Sequence, residues 1–156
     1  MIKIFKNFLF VILFFNLLQG CGYKPLLTSK NQNFSISEVN IFGDKKLSRK
    51  LGNNFSEVDG TNNNLILEIT ADKKKLVSNR TSIGASSEYT VTISFNVKLI
   101  SETNNKVIFT QDFTSINSFK TSKVHLDTLR RENKIVDNSI KNIAEQISKR
   151  LNVIFN

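Results

Sequence analysis

The stretch Tyr89-Thr90-Val91-Thr92-Ile93-Ser94-Phe95-Asn96-Val97-Lys98-Leu99 alternates apolar and polar side chains without a break. Successive residues of a β-strand point to opposite faces, so the pattern specifies a strand with one greasy face and one wet face. The fold must bury the first and leave the second to solvent, as an antiparallel sheet covered on one side does.

Toward the C-terminus, Glu102 to Lys106 carries polar turn chemistry, and Val107, Phe109 and Phe113 continue on a returning strand. An antiparallel hairpin is therefore predicted. From Val124 the period changes. Leu126, Leu129, Val136, Ile140, Ile143, Ile147, Leu151 and Ile154 recur at intervals of three, four or seven, with Arg130, Arg131, Lys134, Lys141, Lys149 and Arg150 between them. A helix from about Leu126 to Leu151 would be about 39 Å long at 1.5 Å per residue. Its narrow apolar stripe, near which Asn133 and Asn138 are blemishes, says that it lies across the sheet.

Toward the N-terminus, Leu65, Leu67 and Ile69 share one face of a strand running to Ala71, with Lys73-Lys74-Lys75 at its end and Arg80 in the loop beyond. Asp59-Gly60 and Asn62 to Asn64 are turn signals. Asp44 is a good N-cap for a short helix in which Leu47, Leu51 and Phe55 recur at i, i+4 and i+8, weakened by Gly52. Phe34 to Phe42 reads as a first strand. The order is β-α-β-β-β-α. We expect one α+β domain over residues 34–156, a mostly antiparallel or mixed four-stranded sheet with two helices packed on one face.

The first twenty residues stand apart. Lys3 and Lys6 precede an apolar run from Phe8 to Leu18, broken only by Asn16, which is the pattern of a secretory signal peptide. The run is too short to cross a hydrocarbon core, which takes about 20 apolar residues. Leu18-Gln19-Gly20-Cys21 matches a bacterial lipobox except at Gln19, and Cys21 is the chain's only cysteine. Cleavage before Cys21, an S-diacylglycerol on its sulfur and an N-acyl chain are expected, and no other cofactor. Several acyl chains anchor stably, at about 0.8 kcal/mol per buried CH₂. Gly22 follows Cys21 instead of the Asp that signals inner-membrane retention, so the expected address is the periplasmic side of the outer membrane. Residues 21–33 then form a tether containing the single proline, Pro25.

Composition narrows the function. One Cys and one His exclude an internal disulfide and the usual zinc clusters. The chain of 156 residues has 22 Lys+Arg against 13 Asp+Glu, a formal charge of +9. Without Lys3 and Lys6 the balance is 20 against 13, or +7, which still invites an anionic partner. Export argues against nucleic acid as that partner. Twenty Asn and seventeen Lys against five Arg also fit an AT-rich genome, so the charge is either a solvated, compositional surface or a site. The site reading gathers Lys73-Lys74-Lys75, Arg80, Lys120 and Lys123 at one rim of the sheet, where they would grip phosphates. His125 has no nucleophile to serve, Asp127 and Glu132 read as a solvated helix face, and no phosphate loop or nucleophile elbow is present. No enzyme is expected.

Cys21-Gly22-Tyr23 with Pro25-Leu26-Leu27, Leu47-Ser48-Arg49-Lys50-Leu51, Glu88-Tyr89 and Ala144-Glu145-Gln146-Ile147-Ser148-Lys149-Arg150-Leu151 follow one another in order over residues 21–151. In that order and spacing the chain resembles the LPS-assembly lipoprotein family, LptE. The resemblance implies a small α+β domain seated in a large outer-membrane β-barrel, LptD-like, as plug and assembly factor for the LPS translocon. It also implies lipopolysaccharide binding. Arg80 matches, with a one-residue shift, the family's cation before the Glu-Tyr strand, and Lys75, Lys120 and Lys123 are its neighbours. The alternative is an accessory or scaffold lipoprotein of another envelope complex.

Overall fold

The stretch from Tyr89 to Leu99 lies inside a longer strand, Ser86–Ser101, in the computed structural model, which describes residues 33–55 and 63–155. The signal peptide, Cys21, nearly all of the tether and the turn at Asp59-Gly60 lie outside the described residues. The elements are β1 (Ser35–Gly43), α1 (Lys45–Gly52), β2 (Asn64–Arg80), β3 (Ser86–Ser101), β4 (Val107–Lys120) and α2 (His125–Phe155). The predicted order β-α-β-β-β-α is therefore the observed one. Strand order in the sheet, which the sequence left open, is β1-β2-β3-β4. β1 runs parallel to β2 and the other pairs are antiparallel, so the sheet is mixed.

The greasy face of β3 becomes the core. Val91, Ile93, Phe95, Val97 and Leu99 are buried, with Leu65, Leu67, Ile69 and Ala71 beside them on β2 and Phe113 and Phe119 on β4. Leu47 and Leu51 of α1, and Val136, Ile140, Ile143, Ala144, Ile147 and Leu151 of α2, close over this face. Burying each large apolar side chain contributes about 1.5–3 kcal/mol, so this layer dominates the stability of the fold. The opposite face stays wet. Cross-strand pairs tie it together: Thr90 with Ser118 at 2.7 Å, Asn96 to Asp112 at 2.7 Å, and Lys98 to Glu68 at 3.0 Å.

Two glycines permit the parallel β1-α1-β2 arrangement. Gly43 has φ +67°, and a Cβ there would meet the Ala71 carbonyl oxygen at 2.2 Å, so the chain leaves the sheet only through glycine. Asp44 then accepts hydrogen bonds from the Lys46 and Leu47 amides, capping α1 as expected. Gly52 ends the helix against β1, where a Cβ would lie 3.0 Å from Val39 Cγ1. Phe55 is buried in the turn after the helix instead of on it.

Two expectations are corrected. β2 does not stop near Ala71 but runs on to Arg80, because Lys73, Lys75 and Val77 continue its pairing with Ile93, Val91 and Tyr89. The Lys triplet is thus inside the strand, and Arg80 is its last residue. On α2, Leu126 and Leu129 are 52% and 40% exposed, and Thr128 and Glu132 take the inward positions ahead of Val136. A spacing of four residues, Thr128-Glu132-Val136-Ile140, carries the buried line, so apolarity alone misplaced the stripe's first turns. Asn133 and Asn138 are exposed and interrupt nothing.

Candidate functional site

Three strands and a helix meet at one end of the sheet. β2 finishes at Arg80, β3 begins at Ser86, β4 finishes at Lys120 and α2 begins at His125. β1 does not reach it, since its last partner is Ala71. β1 begins opposite Asn64, the other end of β2, so the tether joins the domain at the far end. At about 3.3 Å per residue along β2, the two ends lie roughly 50 Å apart.

On the helix-facing row of β2, Leu65, Leu67, Ile69 and Ala71 give way to Lys73 and Lys75. Two ammonium groups facing a helix need an anion, and Glu132 supplies it. Its Oε1 lies 2.5 Å from Lys73 Nζ and its Oε2 2.6 Å from Lys75 Nζ, with the residue 8% exposed. Burial opposes the carboxylate's charge, but the hydrogen bonds and positive charges of Lys73 and Lys75 outweigh it and hold the carboxyl below its ordinary value. Lys75 Nζ also sits 4.3 Å from the Tyr89 ring centroid and 5.6 Å from that of Phe119. Those rings pack against each other at 5.9 Å.

Beside this cluster is a cavity of about 350 Å³ between the sheet end and α2. Lys75, Tyr89 and Lys123 line it together with Ser86, Thr121 and His125. Thr121 holds the strand ends together by donating to the Ser86 and Ser87 carbonyls at 3.2 Å. Thr128 Oγ1 accepts the Ser122 amide at 2.9 Å, fixing the turn into α2. Lys123 has no ion pair among the described residues. The cavity thus offers a free ammonium, a second shared with Glu132, hydroxyls and an aromatic wall. These suit a phosphate on a polar scaffold better than an apolar ligand.

Of the cations expected at the site, the fold brings Lys75 and Lys123 to this cavity, pairs Lys73 with Glu132 beside it and leaves Lys74 near Asp72 at 3.9 Å on the surface. Arg80 lies beyond the cavity on the β2-β3 hairpin, where its Nη1 donates to the Gly84 carbonyl at 2.9 Å. Lys120 is opposite Glu88 in the register, one residue past the inward Phe119, and so stands on the wet face. Glu132, read from the sequence as part of a solvated helix face, is instead buried and paired with Lys73 and Lys75. It lies in the buried line of α2, and that position was the available signal. Asp127 is not its partner, since it pairs with Arg130 at 3.4 Å on the surface. Exposed apolar side chains also gather here: Leu76, Val77, Ile83, Val124, Leu126 and Leu129, with Ile83 88% exposed at the hairpin tip. Among the described residues no group of three His, Cys, Asp or Glu side chains is placed to hold a metal, and no helix is long and apolar enough to cross a membrane.

No family model matches the sequence, and none of the curated proteins matches it. Solved structures do match in fold. Rare lipoprotein B from Shewanella oneidensis superposes with a TM-score of 0.54 at 14% identity, over 75% of this chain and 95% of that one. A minor lipoprotein from Acinetobacter baumannii gives 0.55 at 13% identity, over 78% and 91%. A homologue of a neuraminyllactose-binding hemagglutinin from Helicobacter pylori gives 0.52 at 12%, over 85% and 89%. At these identities the likeness is one of fold: the β-α-β-β-β-α domain of this chain is an architecture found in bacterial lipoproteins.

Proposed function

We propose that this protein is an outer-membrane lipoprotein, anchored through Cys21 on the periplasmic side, that assembles with a large β-barrel translocon protein and binds lipopolysaccharide. It acts by binding and assembly and catalyses no reaction. The observation that carries the reading is the built end of the sheet. Lys75 and Lys123 converge with hydroxyls on a cavity walled by Tyr89 and Leu129, with further exposed apolar side chains at the same end of the sheet, the end away from Ser35 where β1 begins. A phosphorylated, acylated glycolipid has the matching chemistry: anionic groups for the ammoniums and acyl chains for Ile83 and Leu126. Arg80 on the hairpin adds a fork for a further phosphate. The sequence motifs and the fold shared with rare lipoprotein B support the same reading. The likeness to a hemagglutinin homologue favours a second one, an accessory lipoprotein of another envelope complex that recognises a sugar.

Affinity purification of the full-length chain from solubilised membranes separates the two. Recovery with a large β-barrel protein and lipopolysaccharide is expected, and recovery without either one refutes the first reading. Cys21→Ser should leave the protein unprocessed and without acyl chains by mass spectrometry. An acylated Cys21→Ser product would overturn the anchoring.

A further inference from the structure

Among the described residues the sheet has three stretches of free edge, and two of them are guarded. β1 is short, with a register shift between Ile36 and Glu38. The part of β2 beyond Ala71 carries Lys73, Lys74 and Lys75 and has shifts on both sides of Asn79. Short strands, lysines and bulges are the usual protection against another chain pairing with an edge.

β4 carries such features only at its extremities, a register shift between Val107 and Phe109 at its start and its one lysine, Lys120, at its end. It is 14 residues long, contains no Pro or Gly, and pairs with β3 in unbroken register from Phe109 to Lys120. Its charged residues are Asp112, which accepts from Asn96 on the wet face, and Lys120 at the end. Among the described residues no backbone–backbone hydrogen bond leaves its outer side for another segment, and of its outward carbonyls that of Lys120, at the end, accepts from Arg131 Nη1 at 3.4 Å. Every second residue of an antiparallel edge strand points its N–H and C=O outward, so β4 presents an open ladder.

Alongside that edge runs a groove of about 310 Å³, lined by Gln111 and Phe113 of β4 and by Gln146, Lys149, Arg150 and Val153 of α2. Phe113 and Val153 make its floor apolar, and Val153 is 74% exposed. Lys149 and Arg150 stand over it with no ion pair among the described residues. The groove asks for an apolar side chain with carboxylates flanking it.

We propose that the outer edge of β4 and this groove form a strand-addition site for an extended, acidic segment of a partner protein. The segment's backbone completes the ladder, one face of alternate side chains fills the groove, and its carboxylates meet Lys149 and Arg150. A second copy is a poor occupant, because its own β4 brings a single carboxylate, already engaged, and a positively charged domain. The inference is independent of lipopolysaccharide.

The probe is a fluorescein-labelled peptide, Thr-Val-Glu-Val-Thr-Val-Glu-Val-Thr, titrated onto the full-length protein by fluorescence anisotropy, beside the same peptide with Lys for Glu. The Glu peptide should bind at least tenfold tighter, and the double variant Lys149→Glu/Arg150→Glu should reverse the preference. Hydrogen exchange read by NMR should show that bound Glu peptide slows alternate amides of β4 and leaves the β1 edge unchanged. Equal binding of both peptides, or binding without that alternating protection, overturns the proposal. So does concentration-dependent self-association that protects the same amides in the absence of peptide, which would make a second copy the occupant.

Discussion

One row of one strand contains two different kinds of structure. From Leu65 to Ala71 the helix-facing side chains of β2 are apolar and buried beneath both helices, whereas from Lys73 to Lys75 the same row is cationic and meets a single carboxylate of α2. The first half is held by many interchangeable apolar contacts. The second depends on one three-membered ion cluster, whose members hold each other in place. Burial of charge without its partner costs far more than the pair contributes when complete, so the two halves should fail differently.

The largest effect belongs to the apolar half. Phe95 is fully buried at the centre of β3, between Ala71 and Phe113 in the register. Phe95→Ala should lower the unfolding free energy by about 3–5 kcal/mol in urea titrations, the range for emptying a large aromatic site. The loss should not depend on pH or salt. A loss below about 1.5 kcal/mol, or one that varied with salt, would mean that the central layer is less tightly packed than the sheet implies.

The ion cluster gives the contrasting result. Glu132→Gln leaves Lys73 and Lys75 facing each other at the helix, and should cost about 1.5–3 kcal/mol near neutral pH, the range for hydrogen bonds to charged groups. The sign of the pH effect follows from the shift. Glu132 has its carboxyl pushed below the ordinary value of 4.5, so it contributes stability that is present above that value and lost as pH falls through its lower, folded value. Wild type and variant should therefore converge in acid below 4.5 and differ most above it. Parallel curves throughout would reduce Glu132 to a packing residue and erase the distinction between the halves.

The two halves were also unequally legible. Strict alternation in β3 and the change of period after Val124 exposed the sheet, the long helix and the hairpin, because burying one face leaves a periodic trace. Strand order left no such trace, since pairing depends on backbone contacts between distant segments. The continuation of β2 was hidden because Lys73 and Lys75 sit where a buried strand shows apolar residues, and the same substitution at Glu132 made α2 look solvated there. Polar residues at inward positions defeat periodicity unless their partners are known, and the partners lie 57 to 59 residues away in sequence. The basic rim was readable as composition, but its division between the cavity, the hairpin and the wet face follows from strand parity at Lys120 and from the length of β2.

The smallest effect on folding should come from the exposed cations, and here binding and stability separate. Among the described residues Lys123 has no ion pair, and the Arg80 guanidinium donates to a carbonyl of its own hairpin and to no carboxylate. Lys123→Asp and Arg80→Asp should each shift stability by no more than about 0.5 kcal/mol, as surface changes do. Lipopolysaccharide binding should weaken for both, and more for Lys123→Asp, because that residue lines the cavity that Arg80 lies outside. Salt should weaken wild-type binding and affect Lys123→Asp less, since one of the screened charges is gone. If Arg80→Asp proved the more damaging, the hairpin would be the primary contact and the cavity beside Glu132 a secondary one. If binding fell only with unfolding, the cationic half of β2 would be no more than the structural counterpart of the apolar half.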